Sequence, residues 1–197
     1  MFERRSALAT RLADGGRDGA DGRRRLRLGE ITGWHLLQLA VFDRQGPACS
    51  AVVRRCLGVE LPTSADTSTM ATGHRLYRTA PDQYWLLGAD PAALAALAAE
   101  LPASVAASTP LGHARVLLTI EGDAARDVLA KGITVDLRPD AFGARRFAQT
   151  ALHHTGVLLE CEGAERYRLF VLRTFSASIW DWLIDAALPY GYDIGTQ

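Results

Sequence analysis

The chain has 197 residues, 48% of them apolar, which suffices for one large interior or for two smaller halves that share one. Its 22 basic residues balance its 22 acidic ones, so the electrostatic case for non-specific binding to nucleic acid or to an anionic membrane is removed. No stretch approaches the roughly 18 consecutive apolar residues of a membrane-spanning helix.

The first residues, "MFERRSALATRL", open with charges and lack the apolar core of a secretory signal. The three cysteines, Cys49, Cys56 and Cys161, contain no CxxC pair and read as reduced, structural thiols. A cytoplasmic chain is expected. Residues 14–27, "DGGRDGADGRRRLR", have almost nothing to bury. Their ordering entropy goes unopposed, so a solvated loop or mobile arm is expected within an N-terminal segment of residues 1–30.

Regular patterning begins at residue 31. "WHLLQLAVF" (34–42) reads as an apolar strand, and "PACSAVVRRCLG" (47–58) as a helix with Ala48, Ala51, Val52 and Cys56 at helical spacing and Gly58 as its stop. Cys49 and Cys56, seven apart, share one face of that helix as packing groups. "HRLYRTA" (74–80) and "QYWLLG" (83–88) form a hairpin. "DPAALAALAAEL" (90–101) carries Asp90 as N-cap and Pro91 at the first helical position, with Leu94, Leu97 and Leu101 on one side.

The order then repeats. "ARVLLTIEG" (114–122) is a strand, and "DAARDVLAKG" (123–132) a helix with Asp123 at its start and Gly132 at its end. "FAQTALHHTGVLLEC" (147–161) reads as one long strand, paired with "RYRLFVLRTF" (166–175) across "EGAE". "SASIWDWLIDAAL" (176–188) closes the chain as a helix capped by Ser176. The predicted fold is α+β: two fused ferredoxin-like halves in β-α-β-β-α order, residues 31–110 and 111–197, forming one compact unit.

The residues nearest to chemistry are His153, His154 and Cys161. In a regular strand adjacent side chains point to opposite faces, and His153 lies eight residues, roughly 26 Å, from Cys161. A shared metal is therefore not expected. There is no GxGxxG after a strand, no GxxxxGK[ST], no GxSxG and no HExxH, so neither a bound cofactor nor a catalytic residue is expected.

The closing helix is unusual. Ser178, Asp181 and Asp185 form a single polar stripe, and apolar side chains cover the rest. Either they enter a large core, or one side meets a partner chain. On the second reading Ile179, Trp180, Trp182 and Leu183 are the candidate interface.

"LLTIEGDAARDVLAKGITVDLRPDAF" (117–142) resembles a segment of the aminomethyltransferase-like, folate-binding superfamily. "FAQTALHHTGVLLE", "YRLFVLRTFSASIWDWLIDAA" and "YGYDI", with "LYRTAPDQYWLLG" and "RSALA" (5–9) upstream, resemble the gamma subunits of heterotetrameric sarcosine oxidases. The resemblance spans residues 4–8 and 30–194.

It implies a folate-binding-like fold and a non-catalytic assembly subunit whose partners are alpha, beta and delta subunits. Such complexes demethylate sarcosine to glycine, form hydrogen peroxide and pass the one-carbon unit to tetrahydrofolate. FAD, FMN, NAD and zinc belong to the other subunits, and no catalytic, cofactor-binding or metal residue carries over to this chain. Related complexes acting on other N-methyl amino acids use similar small subunits, so the substrate stays open. On this reading the closing helix, or residues 1–12, lies at a subunit interface.

Two alternatives remain. A stand-alone folate-dependent one-carbon transferase would need an acidic group facing the pterin, for which Asp136 and Asp140 are candidates. The plainer reading is a turn aspartate beside Pro139, and for Asp136 a strand-end or loop cap. A sensor of small amino acids rests on fold analogy alone.

Overall fold

The structure, a computed structural model, describes residues 5–12 and 15–196. The chain divides into two units: Gly33–Gly112 forms one, and the segments before and after it form the other. β1 (Leu26–Ile31) precedes the inner unit, which runs β2 (His35–Val41), α1 (Gly46–Leu57), β3 (Thr69–Ala71), β4 (His74–Ala80), β5 (Gln83–Gly88), α2 (Pro91–Glu100) and β6 (Ala106–Pro110). The second unit continues with β7 (Arg115–Glu121), α3 (Ala125–Ala130), β8 (Phe147–Leu152), β9 (Thr155–Gly163) and β10 (Arg166–Leu172). A 3-10 turn (Arg173–Phe175), α4 (Ser176–Ala187) and β11 (Tyr192–Thr196) complete it. The fold is mixed α+β with two sheets.

The inner unit has a five-stranded sheet in the order β3-β4-β5-β2-β6, with every neighbouring pair antiparallel. Leu37, Leu39 and Val41 of β2 pack with Cys49 and Val53 of α1 and with Leu94 and Leu97 of α2. Both helices end as their sequences dictate. Gly58 closes α1 in the left-handed conformation at φ 66°, and the Asp90 carboxylate accepts the Ala92 N–H at 2.8 Å at the start of α2. Cys49 is buried and Cys56 half-buried.

The other unit has a six-stranded sheet in the order β11-β1-β7-β10-β9-β8. All its pairs are antiparallel except β1 with β11. Leu28, Leu118, Ile120 and Leu169 face Val128 and Leu129 of α3 and Ile179, Trp180 and Leu183 of α4.

Five expectations for this unit are corrected. Residues 26–30, assigned to the N-terminal arm, form an interior strand together with Ile31. Leu26 and Leu28 are buried, and the strand is paired on both sides. The arginine-rich stretch before it is coil but not a mobile arm. Arg17 and Tyr192 exchange both backbone hydrogen bonds, at 2.7 and 2.8 Å, Arg24 pairs with Asp18 and Asp193, and Arg25 pairs with Asp123. The interleaved aspartates and arginines thus pin the segment to the body.

The single strand expected over 147–161 is a hairpin, β8 and β9, with Leu152 opposite Thr155. Its two-residue loop is His153–His154, and His153 carries the positive φ, 53°, that a tight hairpin loop demands. The apolar patterning runs through the loop without an Asn-Gly or Gly-X signal, which is why the sequence conceals the turn. At the helix starts, Asp123 lies outside α3 and pairs with Arg25 instead of capping. Ser176 is the first helical residue of α4, buried, and its hydroxyl donates to the Arg173 carbonyl at 2.8 Å.

Candidate functional site

The hairpin overturns the geometric reason given for separating His153 from His154, because both sit in the loop. The two rings lie with centroids 6.4 Å apart. His153 turns toward α4, and its ring meets Trp182 edge-on at 5.2 Å. Its backbone N–H donates to the Gly132 carbonyl at 3.1 Å, tying the loop to the end of α3. Cys161 is not part of this group. It is buried in β9, its thiol donates to the Gly163 carbonyl at 2.9 Å, and burial pushes its pKa up, keeping it protonated. Among the described residues no group of three or more His, Cys, Asp or Glu side chains is placed to hold a metal ion.

The two aspartates considered for one-carbon chemistry stand in the segment between α3 and β8. Asp136 is engaged by Arg138, whose guanidinium and backbone N–H all donate to its carboxylate at 2.6–3.0 Å. That arrangement lowers its pKa to about 2, so it stays an anion committed to its own loop and makes a poor base. Asp140 is exposed in the following turn.

Of the four residues proposed for a partner interface, Ile179, Trp180 and Leu183 are buried, at 4%, 2% and 0% exposure, in the core of their own unit. The breadth of the apolar surface of α4 is therefore largely core packing. Trp182 is half-buried, and Ser178, Asp181 and Asp185 are exposed, as the polar stripe implied.

Residues 5–12 also fold inward. Leu8 is fully buried among the core residues, the Ser6 hydroxyl donates to Glu30, and Arg173 donates to the Arg5 carbonyl at 2.7 Å. Residues 1–4, the start of the expected 1–12 anchor, lie outside the described residues.

Sequence reading missed a cleft of about 290 Å³ beside α4 and β11. Trp180 and Tyr192 line its depth, Ile184 and Ile194 its sides, and Arg11, Asp181 and Asp185 its rim. Nothing in the sequence brings Arg11 to α4, but its guanidinium donates to Asp181 at 2.8 Å and holds that carboxyl below the ordinary range. The one available signal was the polar stripe of α4, which names two of the three rim residues.

Comparison with known proteins places this geometry. The sarcosine oxidase, gamma subunit family matches residues 42–188. Sarcosine oxidase subunit gamma of Corynebacterium sp. (strain U-96) is 30% identical over 167 residues, covering 84% of this chain and 80% of that protein. The subunit of the same name from Arthrobacter sp. is 30% identical over 155 residues, 78% of this chain and 76% of that one. Among solved structures, the heterotetrameric sarcosine oxidase from Corynebacterium sp. U-96 in complex with pyrrole 2-carboxylate contains a chain that superposes with a TM-score of 0.82. Identity is 28%, with 95% of this chain and 96% of that chain covered. Glycine cleavage system aminomethyltransferase T from Bartonella henselae shares the fold, at TM-score 0.59 and 16% identity over 82% of this chain and 46% of that one.

Proposed function

Because the chain belongs to the sarcosine oxidase, gamma subunit family, we propose that it is the gamma subunit of a heterotetrameric sarcosine oxidase and serves the complex by assembly rather than by chemistry. The observation that carries this reading is the match of nearly the whole chain to nearly the whole of one chain of such an oxidase. Asp136 is paired with Arg138, Cys161 is buried, and the histidines stand in a hairpin loop.

On this reading the cytoplasmic complex oxidatively demethylates sarcosine to glycine, with hydrogen peroxide formed and the one-carbon unit passed to tetrahydrofolate. FAD, FMN, NAD and zinc are held by the alpha, beta and delta subunits and not by this chain. The strand orders support a ferredoxin-like reading of both units. β4-β5-β2-β6 in the inner unit has that order with β3 added at an edge, and the six-stranded sheet has it with β1 inserted and β8 added. Of the four α4 residues expected at a partner interface, Trp182 retains exposed surface, and it stands beside the exposed stripe of Ser178, Asp181 and Asp185. We place the subunit contact on that side of α4.

The test is affinity purification of the tagged chain from cells that also express the alpha, beta and delta subunits. Flavin-containing chains in constant ratio to the tagged one are expected, and a chain recovered alone and free of flavin would end the assembly reading. The stand-alone transferase reading is separated by titrating the purified chain with tetrahydrofolate. No saturable binding is expected, whereas micromolar binding would restore it.

A further inference from the structure

A cleft beside α4 and β11 opens at the surface of the second unit. Its depth is closed by two buried rings, those of Trp180 and Tyr192, at 2% and 6% exposure. Its sides are the half-buried Ile184 and Ile194. The rim is charged, and its charges do not balance. Asp181 is met by Arg11, at 2.8 Å, but Asp185 has no ion-pair or side-chain hydrogen-bond partner among the described residues. Among the described residues, the Asp185 carboxylate therefore lines the hollow without an ion-pair partner, while Arg11 on the same rim is engaged by Asp181.

Size decides what such a hollow accepts. At about 290 Å³ it lies just below the roughly 300–1,000 Å³ of pockets that enclose a whole small-molecule ligand. It does match the use that protein interfaces make of small pockets, each filled by one anchoring side chain and ringed by polar groups. The excess carboxylate adds the second requirement, a cation next to the anchor.

We propose that this cleft receives a segment of another subunit of the oxidase, with one large apolar side chain seated between Ile184 and Ile194 and an adjacent Lys or Arg paired with Asp185. Charge complementarity selects this occupant. The apolar hollow supplies affinity through buried area, and Asp185 supplies register and discrimination against acidic segments. The Arg11–Asp181 pair fixes one lip of the cleft. It also leaves Asp185, one helical turn further along α4, as the group that faces the incoming cation. The inference rests on the assembly reading above and adds to it the face that docks and the chemistry of what docks there.

The experiment uses the intact complex, co-expressed with its partner subunits. The Asp185→Arg chain, altered only at an exposed side chain, is expected to bind its partners at least about tenfold more weakly, because like charges then meet across the contact. Asp140→Arg, the same charge change on a turn away from the cleft, is expected to bind as the unaltered chain does. A photo-crosslinking residue at position 185 is expected to capture a peptide of another subunit that contains Lys or Arg.

Equal retention of Asp185→Arg and the unaltered chain would overturn the proposal, and so would equal losses for Asp185→Arg and Asp140→Arg. Capture of this chain's own N-terminal residues, or of a second copy of it, would do the same. If the unaltered chain fails to co-purify with flavin-containing subunits, the assembly reading falls and takes this one with it. If it co-purifies and only the position-185 results fail, the docking site alone is wrong.

Discussion

The imidazole of His153 stands edge-on to the indole of Trp182, with ring centroids 5.2 Å apart and planes inclined by 78°. Edge-to-face aromatic pairs of this kind add about 0.5–1.5 kcal/mol beyond the area they bury. Here the pair also closes a junction of three elements, because the His153 N–H donates to the carbonyl of Gly132 at the end of α3. The β8–β9 loop, the end of α3 and the middle of α4 are thereby fixed against one another, and His153 has a structural role.

Gly132 is the residue that permits this junction. A Cβ there would come within 2.7 Å of both the Trp182 ring and a Leu152 methyl. Alanine normally gains about 0.4–1 kcal/mol over glycine by restricting the unfolded chain, but overpacking at a fixed ring costs about 1–3 kcal/mol. The second effect is the larger. Gly132→Ala is expected to lower stability by about 1–2 kcal/mol in urea unfolding, with a changed Trp emission as Trp182 moves. A neutral or stabilising result would mean that the junction is loose.

Much of the inner unit was legible in the sequence because its signals are local. Asp90–Pro91 announces the start of α2, Gly58 announces the end of α1, and the β4–β5 hairpin is bounded by Pro81 and Asp82. The other unit was harder because its decisive contacts are distant in sequence. Leu26 and Leu28 alternate as a strand should, yet their arginine-rich approach looks disordered until Tyr192 and Asp193 are brought beside it. The turn at His153 is set by the Leu152–Thr155 register and not by turn-forming residues. Of the cleft only the polar stripe of α4 could be read, since Arg11 meets Asp181 across 170 positions of chain.

Leu8 tests whether the N-terminal segment belongs to this chain or to a partner. It is fully buried in the core of the second unit, and the carbonyl of Leu8 accepts the N–H groups of Arg11 and Leu12 at 2.8 and 2.9 Å, forming a single turn. Leu8→Ala is expected to cost the isolated chain about 2–5 kcal/mol, the usual range for emptying a buried leucine site. Calorimetry on the chain without partners makes the distinction. An unchanged Tm there, with a loss seen only in the complex, would return the segment to an anchoring role.

Asp136 gives the chain an acid-sensitive loop. Arg138 holds the carboxyl at about 2 instead of 3.8, so the folded state binds this proton less readily than the unfolded one. The stabilising contribution is complete above the ordinary carboxylate pKa and fades as pH falls from about 4 to about 2. The loop leads into the buried Leu137 and Phe142. Arg138→Ala is expected to return the Asp136 titration to the ordinary carboxylate range, followed by carboxyl NMR shifts. No upward movement of that midpoint would show that the ion pair is not what depresses it.

Lys131, the sole lysine of the chain, closes the far end of α4. Its ammonium donates to the Ala186 carbonyl at 2.7 Å and stands 4.6 Å from the centroid of the Tyr190 ring. The last carbonyls of a helix lack partners within it and carry its negative end, so a cation placed there satisfies one acceptor and the dipole together. Arg25 approaches the same ring at 5.7 Å, which leaves a cation on Tyr190 even when Lys131 is removed. Lys131→Met is therefore expected to cost about 1–2 kcal/mol, mostly from the lost charged hydrogen bond, and Lys131→Arg less. A double-mutant cycle with Tyr190→Leu should give a coupling of about 0.5–1 kcal/mol for the ring contact. A coupling near zero would assign the whole effect of Lys131 to the helix end, and no loss for Lys131→Met would remove it from the account of how α4 terminates.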